Sequence, residues 1–195
     1  MRASNFTLAN MLTILRIILV PVYLGFFSRG TWGSVVIALI VFIIAAVTDL
    51  YDGRLARQRK EETSLGKFLD PLADKFLVLG ALIQFWLMGL VSGWLVGVIV
   101  IRDVYVTVMR INAIMKGTEL ATSGDAKLKT GIQLTVVITT IVFTGGRMIA
   151  MTLLPDYNGT WIDINNYIMF YNGLLSVAVI FTIYSWVKYL IPAKN

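Results

Sequence analysis

Long apolar runs separated by short polar segments are the dominant pattern of this chain. An α-helix needs about 20 apolar residues to cross a hydrocarbon core roughly 30 Å thick. Six runs approach that length, which predicts an all-α, polytopic membrane protein with six transmembrane helices. The predicted spans are 9–27, 33–48, 68–88, 91–115, 128–150 and 166–190. No repeat or change of composition separates them, so we expect a single membrane domain over residues 1–195.

The composition agrees with a membrane protein and narrows the chemistry. Hydrophobic residues make up 57% of the chain and charged residues 14%, with a mean hydropathy of +0.78. Soluble domains are roughly 25% charged. The chain has no Cys and no His, which excludes disulfides, thiolate metal sites and imidazole bases. Any metal site must therefore be built from oxygen ligands suited to Mg²⁺ or Mn²⁺.

Lysine and arginine are concentrated in two of the connections between the predicted spans. These residues, between spans two and three and between spans four and five, are Arg54, Arg57, Arg59, Lys60, Lys67, Lys116, Lys127 and Lys129. Short basic connections stay on the cytoplasmic side, so both termini are predicted to be cytoplasmic. The net charge of +6 then faces anionic lipid headgroups, and we expect no nucleic-acid partner.

Two pairs of aspartates interrupt the apolar pattern where the second span ends and the third begins. Asp49 and Asp52 are three residues apart, and Asp70 and Asp74 are four apart. On a helix each spacing places both carboxylates on one face. Four carboxylates at a membrane boundary are too costly without a counter-charge, and one or two divalent cations would supply it. The motif therefore predicts a metal site able to bind a pyrophosphate on the cytoplasmic side.

Small and basic residues accompany the aspartates. Gly53, Ala56 and Gly66 are small, so a phosphorylated group can approach both helices closely. Arg57 is able to hold a phosphate through two parallel hydrogen bonds. Pro71 is expected early in its helix, where a missing N–H group costs little.

The spacing D-x-x-D-G-x-x-A-R-x8-G-x-x-x-D-x-x-x-D resembles the signature of the CDP-alcohol phosphotransferases, and every fixed position is matched. Further segments resemble the bacterial branch that uses sn-glycerol 3-phosphate as acceptor. They are Asn10 to Arg16 with Pro21, Thr63 to Lys75, Arg102-Asp103, and Lys127-Leu-Lys129-Thr130. One departure is Gly124-Asp125-Ala126-Lys127, where Gly and Lys are adjacent in that branch.

The resemblance implies a reaction and a set of roles. CDP-diacylglycerol and sn-glycerol 3-phosphate would give phosphatidylglycerophosphate and CMP. Two divalent cations, Mg²⁺ or Mn²⁺, would be held by the four aspartates, and Asp74 would deprotonate the acceptor hydroxyl. CDP-diacylglycerol would be bound by Gly53, Ala56, Arg57 and Gly66. The resemblance also implies a homodimer among membrane lipids.

The acceptor phosphate needs cations of its own, because the metals are already engaged by the pyrophosphate. Arg110, Lys127 and Lys129 flank one predicted cytoplasmic connection and are the candidates. An equally strong reading of Arg110 is an interfacial arginine that extends to the headgroups.

Two alternatives remain open at the level of sequence. Within the same family, the acceptor would be inositol phosphate, serine or phosphatidylglycerol, the last giving cardiolipin. Outside it, a cation transporter would use the same carboxylates. Transporters often show paired half-sequences with broken helices near the midplane, and this chain has one unrepeated site near one face.

Overall fold

A computed structural model of the protein describes residues 8–59, 64–116, 124–154 and 163–190. Within these ranges the chain forms α-helices joined by short connections, and no strand is present. The prediction of an all-α protein with six helices is confirmed. The helices are α1 (Leu8–Phe27), α2 (Trp32–Arg59), α3 (Ser64–Leu87), α4 (Gly93–Met115), α5 (Gly124–Leu153) and α6 (Ile164–Leu190).

Three helices, α2, α3 and α5, extend well beyond the apolar runs that predicted them. α2 continues eleven residues past position 48, and α3 and α5 each begin four residues before the predicted span. Arg57, Lys67 and Lys127 therefore lie on helices, and their predicted location in connections was wrong. The physical reason is that hydropathy marks only the part of a helix that would face hydrocarbon, whereas backbone hydrogen bonding continues into polar surroundings.

The observed helix boundaries change the interpretation of two residues, Pro71 and Asp125. Pro71 is the eighth residue of α3, not a first-turn residue, so it removes one backbone hydrogen bond from the helix interior. Asp125 lies in the first turn of α5, where the helix dipole favours an acidic residue. Asp125, which departs from the pattern of the bacterial branch, is therefore favoured at the start of α5.

The six helices close into a ring. α1 packs against α2 and α3, α3 against α4, α4 against α6, α6 against α5, and α5 against α2. α3 also contacts α2 and α5, which places it towards the interior. The short connections make successive helices run in opposite directions. The end of α2 and the start of α3 therefore share one end of the bundle, here called the motif end, with the end of α4 and the start of α5.

The exterior of the bundle is apolar and part of its interior is polar. Two helical segments among the described residues, Gly131–Leu153 and Ile164–Tyr184, have the length and apolarity of a membrane span. Shorter apolar stretches are Met11–Phe27, Trp32–Thr48 and Lys75–Leu87. Large aliphatic side chains such as Ile40, Ile101 and Ile180 are exposed, whereas Arg16, Asp103 and Gln133 are buried. This inverted distribution is typical of a protein embedded in lipid.

Aromatic contacts fix α1 against its two neighbours. The rings of Tyr23 and Phe42 have centroids 5.4 Å apart, and those of Phe27 and Phe85 are 5.3 Å apart, both edge-on. All four side chains are fully buried. Such pairs stabilise beyond the area they bury. They set the register of α1 relative to α2 and to α3, which decides what lies opposite α1 at the motif end.

The opposite half of the bundle is held by hydrogen bonds between α5 and α6. The Tyr167 hydroxyl donates to the carbonyl of Thr140, and the Tyr171 hydroxyl donates to that of Thr139, both at 3.0 Å. Asn172 of α6 also accepts a hydrogen bond from the backbone N–H of Ser92, just before α4, at 2.7 Å. Polar groups inside the bundle are thus used to join helices.

Candidate functional site

The buried face of α2 leads directly to the first aspartate pair. Buried positions recur at spacings of three and four residues along this helix, as in a heptad pattern. They are Val35, Ala38, Phe42 and Ala45. The next two positions in the series are Asp49 and Asp52, and Ala56 follows Asp49 by seven. These helical positions therefore lie on the interior face of α2, at the motif end.

The second pair continues the buried face of α3 in the same way. Leu77 and Ala81 are buried, and they follow Asp70 and Asp74 by seven residues each. Two helical turns bring a position back to nearly the same face. Both aspartate pairs thus occupy interior faces of neighbouring helices, on either side of the 60–63 connection. The side chains of all four aspartates lie outside the described part of the structure, as do those of Gly53, Ala56, Arg57 and Gly66.

The donor chemistry of this set fits a hard divalent cation. Four carboxylates and no nitrogen or sulfur ligand are what Mg²⁺ and Mn²⁺ accept. Among residues whose side chains are described, no other group of three or more acidic, His or Cys residues would hold a metal. The metal site and the identity of its ligands stay predictions.

A second polar cluster lies in the interior between α4 and α5. Arg102 Nη1 donates to Asp103 Oδ1 at 3.2 Å, although neighbouring residues on a helix point in different directions. Gln133 Nε2 approaches Asp103 Oδ2 at 3.5 Å, which is a long contact. All three side chains are buried. Within the cluster the charges of Arg102 and Asp103 offset each other. The contact between Asp103 and Gln133 shows that these two residues lie at the same depth in the bundle.

Because Asp103 and Gln133 lie at the same depth, the positions of the three candidates for the acceptor phosphate can be compared. Towards the motif end, Arg110 follows Asp103 by seven residues, roughly 10 Å, and Lys129 precedes Gln133 by four, roughly 6 Å. Both positions continue buried faces. Lys127 does not, because Gly131, four residues later, is exposed. The structure thus separates Lys129 from Lys127 by helix face, while the side chains of Arg110, Lys127 and Lys129 lie outside the described residues.

One buried residue was given no role by the sequence reasoning. Arg16 of α1 is fully buried, and Thr13, one turn earlier, is buried as well. The available signal was a charged residue within a predicted span, since such residues are rare and usually have a functional or pairing reason.

Known proteins resemble this chain over much of its length. A family model described as CDP-alcohol phosphatidyltransferase matches residues 6–184. A probable phosphatidylglycerophosphate synthase of Mycobacterium tuberculosis is 40% identical over 135 residues, 68% of this chain and 64% of that protein. The chain thus spans somewhat less than two thirds of the mycobacterial relative.

Other relatives, among them those of Bacillus subtilis and Escherichia coli, carry the name CDP-diacylglycerol–glycerol-3-phosphate 3-phosphatidyltransferase. The Bacillus subtilis protein is 38% identical over 144 residues, 68% of this chain and 75% of that protein. The Escherichia coli K12 protein is 30% identical over 199 residues, covering 97% and 96% of the two chains. The family match over nearly the whole chain and these identities confirm the resemblance seen in the motif: the chain belongs to the CDP-alcohol phosphatidyltransferase family.

Proposed function

We propose that the protein transfers the phosphatidyl group from CDP-diacylglycerol to sn-glycerol 3-phosphate, giving phosphatidylglycerophosphate and CMP. The observation that carries the proposal is the complete acidic motif, with its four aspartate positions on interior faces at one end of α2 and α3. The names of the Bacillus and Escherichia relatives support glycerol 3-phosphate as the acceptor.

The acidic motif would bind the pyrophosphate of CDP-diacylglycerol through metal. Asp49, Asp52, Asp70 and Asp74 would hold two divalent cations, Mg²⁺ or Mn²⁺. When bound, such ions neutralise the pyrophosphate and the departing CMP. Gly53 and Ala56, with Gly66 on α3, leave space for the nucleotide because they carry little or no side chain. Arg57 supplies a fork of donors for a phosphate.

Asp74 is the proposed base. The acceptor hydroxyl must lose a proton as its oxygen attacks the phosphorus that bears diacylglycerol, and CMP departs with the electrons of the broken P–O bond. With no His in the chain, a carboxylate is the fitting proton acceptor. Asp74 lies one turn deeper in α3 than Asp70.

Arg110 and Lys129 are the proposed partners of the acceptor phosphate. Glycerol 3-phosphate is a dianion, and its phosphate must be held beside another anionic group. The two positions continue the buried faces that meet at Asp103 and Gln133. Lys127 falls on a different face and becomes the weaker candidate.

The membrane setting completes the proposal. Six transmembrane helices would place both termini and the motif end on the cytoplasmic side, where water-soluble acceptors are available. The basic residues near the motif end would face anionic headgroups. The protein would act as a homodimer.

The reaction is tested with purified protein in detergent, CDP-diacylglycerol and radiolabelled acceptors. We expect incorporation from glycerol 3-phosphate, its loss with EDTA, and its return with Mg²⁺ or Mn²⁺. Inositol phosphate, serine and phosphatidylglycerol are assayed in parallel. Incorporation from one of these in place of glycerol 3-phosphate would reassign the acceptor. Absence of turnover with all four, alongside metal-dependent cation flux in vesicles, would favour the transporter.

Replacement of Asp74 by Asn tests the base. The change keeps the size of the side chain and removes its basicity, and a positioned base contributes about 10²–10⁴-fold. We expect kcat to fall by at least about 10²-fold, with a KM for CDP-diacylglycerol within roughly threefold of the parent. Asp163→Asn, at the exposed start of α6, is the matched control and should retain the parental rate. A loss of less than tenfold in Asp74→Asn would place the base elsewhere.

A paired comparison of lysines tests the acceptor site. Lys129→Met removes one charge from the buried face of α5, whereas Lys127→Met removes the same charge from another face. We expect Lys129→Met to raise the KM for glycerol 3-phosphate about tenfold, equivalent to roughly 1.4 kcal/mol, and to leave that for CDP-diacylglycerol nearly unchanged. Arg110→Lys should act in the same direction because it loses the guanidinium fork. Equal effects of the two lysine changes would contradict the assignment by helix face.

A further inference from the structure

Arg16 of α1 is a charged side chain inside the bundle. It is the largest of the fully buried side chains, with 0% of its surface exposed. A buried guanidinium is costly unless it has anionic partners and satisfied hydrogen bonds. What lies opposite Arg16 on the two neighbouring helices therefore indicates its purpose.

The register of α1 against α2 places Arg16 opposite the first aspartate pair. Tyr23 and Phe42 meet with ring centroids 5.4 Å apart. Arg16 precedes Tyr23 by seven residues, and Asp49 follows Phe42 by seven. Because the helices run in opposite directions, both steps lead two turns, about 10 Å, towards the motif end on nearly the same faces. The position of Arg16 on α1 is therefore opposite that of Asp49 on α2, just as Tyr23 is opposite Phe42.

The register of α1 against α3 places Arg16 opposite the second pair as well. Phe27 and Phe85 meet with ring centroids 5.3 Å apart. Arg16 precedes Phe27 by eleven residues, and Asp74 precedes Phe85 by eleven. These helices run in the same direction, so both steps lead three turns, about 16 Å, towards the motif end. Between Arg16 and Phe27 on α1, Val20 packs against Gly80 of α3. A Cβ atom added to Gly80 would lie 3.5 Å from Cγ1 of Val20.

The direction of the side chain supports the same arrangement. Long side chains on a helix lean towards its N-terminus, which for α1 is the motif end. A guanidinium presents five N–H donors in a planar fork and is able to bind two carboxylates at once. One fixed positive charge does not balance four carboxylates, so a need for divalent cations remains beside Arg16.

We propose that Arg16 is a positioning residue of the acidic motif, whose guanidinium bridges the carboxylates of Asp49 on α2 and Asp74 on α3. It holds one carboxylate of each pair and supplies part of their counter-charge before metal binds. The inference deepens the proposed function, on whose acidic motif it rests. Arg16 lies on α1, outside the spaced motif that links the aspartates along α2 and α3.

A double-mutant cycle on the metal-free protein tests the bridge. Thermal unfolding is measured in detergent with EDTA for Arg16→Met, Asp49→Asn, Asp74→Asn and the two double variants. Met keeps the length of the side chain and removes its charge. We expect Arg16→Met to lower Tm by about 10 °C in the parent, because removing one partner exposes buried carboxylates to uncompensated repulsion. In either aspartate variant the same change should lower Tm by less than about half as much.

Two further variants keep the test decisive. Tyr23→Phe removes a buried hydroxyl from the same face of α1 and should show no coupling to either aspartate. Arg16→Lys keeps the charge and loses the fork, and it replaces Arg16→Met in the cycle if that variant does not fold. An equal fall in Tm in all three backgrounds would overturn the bridge. Because the cycle uses neither substrate nor metal, a failure of glycerol 3-phosphate incorporation with intact coupling would overturn only the proposed reaction.

Discussion

The cost of placing carboxylates inside an apolar bundle is the constraint on which the rest of this protein depends. The four aspartate positions continue the buried faces of α2 and α3, so we expect their carboxylates to need a counter-charge. The described interior offers a fully buried arginine on α1 and an Arg102–Asp103 ion pair on α4. In the proposed mechanism the remaining charge is balanced by divalent cations, and the same cations make the site attractive to a pyrophosphate.

The helices are arranged so that this site can exist at one end of the bundle. α2 runs unbroken for 28 residues through both of its aspartates, and only four residues separate the end of α2 from the start of α3. α1 lies against both helices, with its register fixed by aromatic contacts near the opposite end. Apolar packing far from the motif therefore determines which residues meet at the motif, in agreement with the proposed role of Arg16.

The sequence predicted the all-α class, the six helices and the family, because hydropathy and a spaced motif are strong local signals. It misplaced the end of α2 and the starts of α3 and α5, since polar residues such as Arg57 and Lys127 lie beyond an apolar run but still within a helix. It did not distinguish Lys129 from Lys127, because that difference depends on which face of α5 is buried. Arg16 received no role, because its neighbours depend on contacts between α1, α2 and α3.

Counting bound manganese tests the central claim, that the four aspartates form a divalent-cation site, most directly. Mn²⁺ binding to the purified protein in neutral detergent is measured by electron paramagnetic resonance, which distinguishes free from bound ions. We expect two bound ions per chain for the parent and none for a variant with Asn at positions 49, 52, 70 and 74, provided that its helical content is unchanged. Equal binding by the parent and this variant would contradict the account.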